Sequence, residues 1–329
     1  MDMLPPTPRK VIWAIDVYHS LPNFFRTAAR ALKRLQLETH ALIEPVYILN
    51  LAHVNLQNTS YETWLEQEHP NALKALNQVV SQSGIEETLT PRVIEENSFS
   101  GVEAAQALSN YAEQEGADLI VVSTHARSGI VRFFLGSFAE NLLTVSKVPL
   151  LVVGTHVNRI SKFKHILFAT AFLPTSHLAF RKTVQLASTL NSKITLVHVL
   201  PEPVEAIFQS GVSLLGGTWI PVLSYFGKEY DRQKKRARAW SNWAKKKGVA
   251  MTSIIWPRGG QASDLIVKVA KRKRAGLIVL EEKASLITAT LVGSTTRQVI
   301  RSAHCPVFVF RSQALQKEGR RDHPHFKAA

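Results

Sequence analysis

Polar and apolar residues along this chain alternate with two periods. Short β-branched apolar runs bounded by polar residues mark strands buried on both faces; between them apolar residues recur at the spacing of one helix face. Residues 117–153 carry the pattern most clearly: ADLIVVST, HARSGIVRFFL, GSFAENLLTVSK and VPLLVV predict strand, loop, helix and strand. The loop holds His125, Ala126, Arg127, Ser128 and Gly129, and the helix is predicted to open at Gly136 and Ser137. Unpaired backbone N–H groups and the helix dipole make such an opening an anion site, so a phosphate is the first ligand to expect there.

The same order returns about 157 residues later as AGLIVLEE, KASLITATLV, GSTTRQVIRSAH and CPVFVF. Gly136 precedes Pro149 by 13 residues, and Gly293 precedes Pro306 by the same 13. Strand, Gly-Ser, helix and X-Pro strand in matching order point to a tandem duplication.

Upstream, KVIWAID predicts a first strand ending in Asp16. Residues 23–37 follow as a helix with Phe24, Ala28, Ala31, Leu32 and Leu35 on one face, then IEPVYIL as the second strand. Strand, helix, strand implies parallel pairing with a right-handed crossover. A helix over 61–82, a short strand over 91–94 and a helix over 101–115, ended by Gly116, complete the first series. KHILFATAF, a helix over 178–190, KITLVHVL and AMTSIIW begin the second. An excursion over 201–248 interrupts it with an apolar tract at 211–226 and a basic helix at 228–247. Five strands per repeat, alternating with helices, make each repeat a three-layer α/β/α, Rossmann-like domain. The expected division is domain 1 over 1–157, domain 2 over 158–311 and a flexible tail over 312–329.

Composition removes several classes of function. No apolar run reaches the roughly 18 to 20 residues of a membrane-spanning helix, and MDMLPPTPRK lacks the order of a secretory signal, so a cytoplasmic location is expected. The one cysteine, Cys305, falls in a predicted buried strand and excludes a disulfide framework. No metal-ligand cluster, G-x-S-x-G elbow or Walker loop is present, so no catalytic residue is assigned. The formal net charge of +15 is unevenly divided: 11 Lys/Arg against 16 Asp/Glu up to residue 157, and 29 against 9 beyond it. Opposite signs can draw the halves or two chains together, or leave the second half to meet an anionic partner.

A strand ending in Asp, a fourth strand running into a G-x-x-G-(nine residues)-G-S loop and a fifth opening with Pro resemble the universal stress protein family, twice, over nearly the whole chain. The resemblance implies a five-stranded parallel sheet of order 3-2-1-4-5 in each domain and dimerisation through the fifth strand. In the ATP-binding members it also implies a nucleotide site at the ends of strands one and four. Placed on that motif, repeat one has Ser123 and Ala126 at the first two glycines, nine residues from Arg127 to Leu135, and Gly136-Ser137 intact, with Phe138 next. Asp16 falls where ribose or adenine would be held, the backbone around Leu49 where the base would meet strand two, and His125 and Arg127 in the phosphate loop. The implied cofactor is ATP with Mg, in domain 1 only. Ser123 can donate through its hydroxyl, whereas Ala126 resists positive φ where a phosphate-wrapping backbone favours glycine. In repeat two Glu281 and Glu282 replace Ser123 and Thr124, Ala171 replaces Asp16, and the loop is one residue short. Paired carboxylates repel a triphosphate, so no nucleotide is expected there.

Each feature has a plainer use as well. Asp16 can cap the next helix, His125, Arg127 and Arg132 can face solvent, and Gly136-Ser137 is a good helix start in itself. The 228–247 stretch carries nine Lys/Arg, Lys228 first and Lys247 last, with Trp240 and Trp243 on one face. Either it meets nucleic acid or an acidic membrane, or the Trp pack on the sheet and the charges are solvated. After Asp16 the chain reads VYHSLPN, without the Ser-Gly-Gly loop of adenylating α/β enzymes. The expected function is a stress-response binding and regulatory module holding ATP in domain 1, with a slow ATPase the least supported reading. The alternative is a nucleotide-free interaction protein with both crevices filled by side chains and a basic second domain that binds nucleic acid, acidic lipid or protein. The two repeats are expected to form an intramolecular pseudo-dimer through VPLLVV and CPVFVF; a further homodimer is left open.

Overall fold

A computed structural model describes residues 8–18, 22–51, 61–124, 137–200, 219–257, 260–282 and 293–311. The first half contributes β1 (Lys10–Ala14), β2 (Leu42–Asn50), β3 (Arg92–Glu96), β4 (Leu119–Ser123) and β5 (Leu150–Val153). The second contributes β6 (His165–Ala169), β7 (Lys193–Val199), β8 (Met251–Trp256), β9 (Leu277–Glu282) and β10 (Val307–Arg311). All ten form one sheet of order β3-β2-β1-β4-β5-β10-β9-β6-β7-β8. Each half therefore has the order 3-2-1-4-5 with parallel pairing throughout, and the halves join where β5 and β10 pair antiparallel.

Eight helices cover the two faces: α1 (Pro22–Thr39), α2 (Tyr61–Ser83), α3 (Gly101–Gln114), α4 (Ser137–Val145), α5 (Ser176–Thr189), α6 (Trp219–Lys246), α7 (Ala262–Lys273) and α8 (Ser294–Ser302), all among the described residues. Successive strand residues point to opposite faces, which is why the strands read as continuous apolar runs. Val11 and Trp13 belong to the core layer beneath α1, α2, α5 and α6, whereas Ile12 and Ala14 belong to the layer beneath α3, α4, α7 and α8. Most apolar side chains of these strands are buried.

Strand register fixes which positions of the two halves correspond. Ala14 lies opposite Val122, and Ala169 opposite Leu280. Ser123 and Glu281 therefore occupy equivalent places, as do Asp16 and Ala171. At the seam Leu151 faces Phe308, flanked by Val152 with Val307 and Leu150 with Val309. Leu151 and Phe308 are themselves equivalent, so a pseudo-two-fold axis passes between them.

Two expectations shift. The third strand starts at Arg92 and runs to Glu96. The basic helix begins earlier, at Trp219, so 219–226 of the apolar tract form its first turns. Pro221 is tolerated because it sits in the first turn, where N–H groups have no intrahelical acceptor. Residues 201–218 and 312–329 lie outside the described residues.

Candidate functional site

Open parallel sheets bind ligands at the carboxyl ends of their strands. In the first half that edge is formed by Asp16 just beyond β1, Leu49 and Asn50 ending β2, Ser123 ending β4 and Ser137 opening α4. Asp16 Oδ1 accepts from Tyr18 N at 3.2 Å, closing an Asx turn six residues before α1 begins at Pro22. Leu49 is buried. Ser123 is half-buried beside Val153, its register partner in β5. Ser137 is exposed, and Phe138 leans on the α3/α4 side of the core. His125, Ala126, Arg127, Arg132 and Gly136 lie outside the described residues.

Two residues that sequence reasoning missed stand between these positions. Tyr47 is buried with its ring edge-on to Tyr18 at 5.7 Å, and its hydroxyl has no hydrogen-bond partner. Asn50 is 6% exposed and its Oδ1 is also without a partner. Leaving a buried polar atom unpaired costs on the order of 1–3 kcal/mol, so two of them at one strand edge call for an explanation. Their signal in the sequence was faint: a Tyr and a closing Asn in a mostly apolar strand that also carries Glu44. Burial pushes the Tyr47 hydroxyl well above its ordinary pKa, reinforced by Asp16, Tyr18 and Glu68. Burial, with a hydrogen bond to Glu68 at 3.1 Å, raises Tyr18 to about 12. Both phenols are therefore neutral donors. One strand over, a cleft of about 260 Å³ is lined by Arg26, Arg30, Thr155 and Asn158, placing two cations one helical turn apart. Carboxylates thus gather at the β1–β3 side of the crevice and cations at the β5 side.

At the corresponding edge of the second half, side chains of the chain meet one another. Glu281 accepts from the hydroxyls of Thr175 and Ser176, so a carboxylate of the chain itself sits at the N-terminus of α5. His198, at the place of Tyr47, meets Thr170 O through Nδ1 at 2.8 Å. Phe172 lies 4.9 Å from the His198 ring and 4.9 Å from that of Trp240, and Arg236 donates to Phe172 O at 3.2 Å.

Trp240 and Trp243 pack against Phe180, at 4.5 and 5.6 Å between ring centres, and α6 buries Gln233, Ala237 and Ala244 on that face. Its nine Lys/Arg, counted with Lys247 just beyond it, are exposed. Among the described residues no group of three or more His, Cys, Asp or Glu could hold a metal ion. No helix among them is long and apolar enough to cross a membrane.

The family model described as "Universal stress protein family" matches residues 9–154 and again 162–311. A universal stress protein of Methanocaldococcus jannaschii is 33% identical over 89 residues, 27% of this chain and 48% of the relative. The match thus spans about half the length of that curated relative. The crystal structure of a universal stress protein from Archaeoglobus fulgidus superposes with a TM-score of 0.60 at 16% identity, covering 92% of this chain and 96% of that one. A putative universal stress protein from Pseudomonas aeruginosa gives 0.56 at 16% identity, covering 94% and 96%. At such identity these two speak for the fold. Two successive family matches, together with a sheet order repeated in each half, show that the chain belongs to the universal stress protein family and carries its domain twice.

Proposed function

We propose that this chain is a tandem binding and regulatory module whose first domain, 1–157, holds ATP with Mg, while the second, 158–311, is a nucleotide-free partner domain. The observation that carries the reading is the buried, unpartnered Tyr47 Oη, close to Asp16 and Tyr18 at the crevice end of the sheet; Asn50 Oδ1, also unpartnered, lies on the opposite face of β2. A nucleoside supplies the partner missing at Tyr47, because its ring nitrogens accept from a phenol. Asp16 accepts from the ribose or adenine, and the backbone at Leu49 meets the base. Ser123, the 125–127 segment and the N–H groups at Gly136, Ser137 and Phe138 receive the phosphates. Arg26 and Arg30 add positive charge on that side. ATP and Mg supply the anion and its counter-charge, and no bond-breaking step is assigned to the chain.

Isothermal titration of the full chain with ATP and magnesium tests this. One site per chain is expected. Asp16→Ala weakens it by about tenfold or more, the loss of one charge-assisted hydrogen bond. Tyr47→Phe weakens it too, yet makes the free protein slightly more stable, because an unpaired buried hydroxyl is removed. No heat at high micromolar ATP would sink the nucleotide reading.

A second reading concerns the basic half. The cations of 228–247 are exposed while both Trp are partly buried against the core, which favours an anionic partner met by charge alone.

A further inference from the structure

The charge of the second half is sorted along its strands. The edge where β6, β7, β8 and β9 begin carries Lys162, Lys164 and Lys193, the lysines at 245–247 where α6 ends, and the four cations at 271–274 where α7 ends. All ten are exposed. Backbone contacts tie these pieces to one edge: Lys193 N donates to Lys164 O, Ile194 N to Ala250 O and Gly276 N to His165 O. A Cβ on Gly276 would stand 2.6 Å from Lys162 O.

Acidic positions of this half among the described residues lie elsewhere. Asp264 is in the first turn of α7, and Glu281 and Glu282 end β9. Glu229 and Asp231 lie further back along α6, Asp231 being 15 residues, about 22 Å of helix, before Lys246. The ion pair at this edge among the described residues is Lys164 with Glu38 of the first half, at 3.9 Å. The field is also felt by neighbouring histidines. His165 is depressed by burial and then by Lys193, and His304 by burial and then by Lys271.

We propose that this edge binds the phosphate backbone of duplex nucleic acid, without reading its base sequence. The proposal rests on the anionic-partner reading above and narrows it to one surface and one partner. The ends of α6 and α7 lie on opposite faces of the sheet, with the strand-start lysines between them. Two layer spacings of about 10 Å put those helix ends about 20 Å apart. That length of duplex presents about 12 phosphate charges, about half of them on the side that faces the protein, within reach of ten cations. Stacking on single strands or insertion into lipid needs exposed aromatic or large apolar side chains. Among the described residues those are Tyr18, Leu37, Leu42, Phe99 and Val102, all of the first half.

Fluorescence anisotropy of the full chain with a labelled 20-base-pair duplex of arbitrary sequence, from 50 to 200 mM salt, tests the proposal. Binding is expected at low salt, unchanged when the sequence is scrambled, with log K falling against log salt at a slope of about −5. Converting the three lysines at 245–247 to Gln should reduce the slope by up to about 3 and weaken binding about tenfold or more at 100 mM salt. Lys234→Gln with Lys235→Gln and Arg238→Gln, on the outer face of α6, should stay within about twofold, with circular dichroism melts confirming that both variants fold. If the outer-face variant loses binding and the edge variant does not, the edge assignment falls while an anionic partner survives. If acidic phosphatidylserine vesicles bind through the same lysines and duplex does not, the partner is a membrane and the proposal is overturned. No binding at 50 mM salt to duplex, vesicles or a polyglutamate peptide removes both readings.

Discussion

At the end of β4 the first half carries Ser123, and at the same place in β9 the second carries Glu281, whose carboxylate fastens Thr175 and Ser176 at the start of α5. One strand away, Tyr47 keeps a buried hydroxyl without a partner, whereas His198, its counterpart, is held by Thr170 O and closed in by Phe172. The two copies have thus diverged: the second draws an anion and a partner for His198 from its own chain, whereas among the described residues of the first the Tyr47 hydroxyl has none. The seam has diverged in a complementary way. Glu140 and Arg297 occupy equivalent helix positions and pair across the axis at 3.0 Å, where two identical copies would set like charge against like. Arg311 reaches the carbonyls of Leu143, Thr144 and Ser146 at the end of α4, while its counterpart Gly154 lets the backbone of α8 approach. Fusion permits each half to specialise for a partner that is never a copy of itself.

Exchanging the seam residues should have the largest effect. At Gly154 any Cβ would stand 2.6 Å from Ile300 O, a backbone atom, so Gly154→Arg forces the helix away and adds a buried charge. We expect a loss of about 3 kcal/mol or more in urea unfolding. The converse change, Arg311→Gly, deprives the last turn of α4 of its charged donor and should cost about 2 kcal/mol. If both exchanges were tolerated within about 0.5 kcal/mol, the seam would be symmetric in energy and the specialisation described above would be wrong.

Smaller, but more direct, is a charge swap across the axis. Glu140→Arg places two arginines together and should lower stability by about 1 kcal/mol, moderated because both side chains are about one-third exposed. Adding Arg297→Glu restores an opposite-charge pair and should recover most of the loss. Additive single effects, with no recovery in the double variant, would show that the pair does not contribute to the matching of the halves.

Much of this was legible in the sequence, for physical reasons. Strands buried on both faces have to be apolar throughout, so the runs and their order marked the sheet, and the equal spacing from Gly-Ser to Pro revealed the copying. Register later gave Glu281 the same place as Ser123 that alignment of AGLIVL with ADLIVV had given it. The partners of Glu281 were not legible, because Thr175 and Ser176 precede it by more than 100 residues and only the fold brings them near. Nor was the start of α6, because Pro221 and Gly227 are weak helix formers in isolation. Tyr47 and Asn50 went unnoticed because burial without a partner is a property of three dimensions. The loop that would hold phosphates, 125–136, lies outside the described residues.

Acid should sharpen the comparison most gently. His165, His198 and His304 belong to the second half, where the first has Lys10, Tyr47 and Lys147 at the equivalent places. Burial is the leading cause that holds each histidine below its ordinary pKa of 6.5, aided by Lys193 at His165, Arg236 at His198 and Lys271 at His304. The unfolded chain then takes up protons near pH 6.5 while the folded chain does so only lower, so stability is full above that point and drains away as pH falls through it. Of the first-half counterparts, Lys10 and Tyr47 both stand above their ordinary values and so outside that window. Hydrogen exchange followed by mass spectrometry at pH 7.5 and pH 5, corrected for intrinsic rates, should therefore show β6, β7 and the start of β10 losing protection before β1 and β2 do. Replacing His198 with the tyrosine of the first half should blunt that loss around β7. Equal loss in both halves, or the same profile with His198→Tyr, would mean that these histidines do not set the acid limit and that the two copies share one stability.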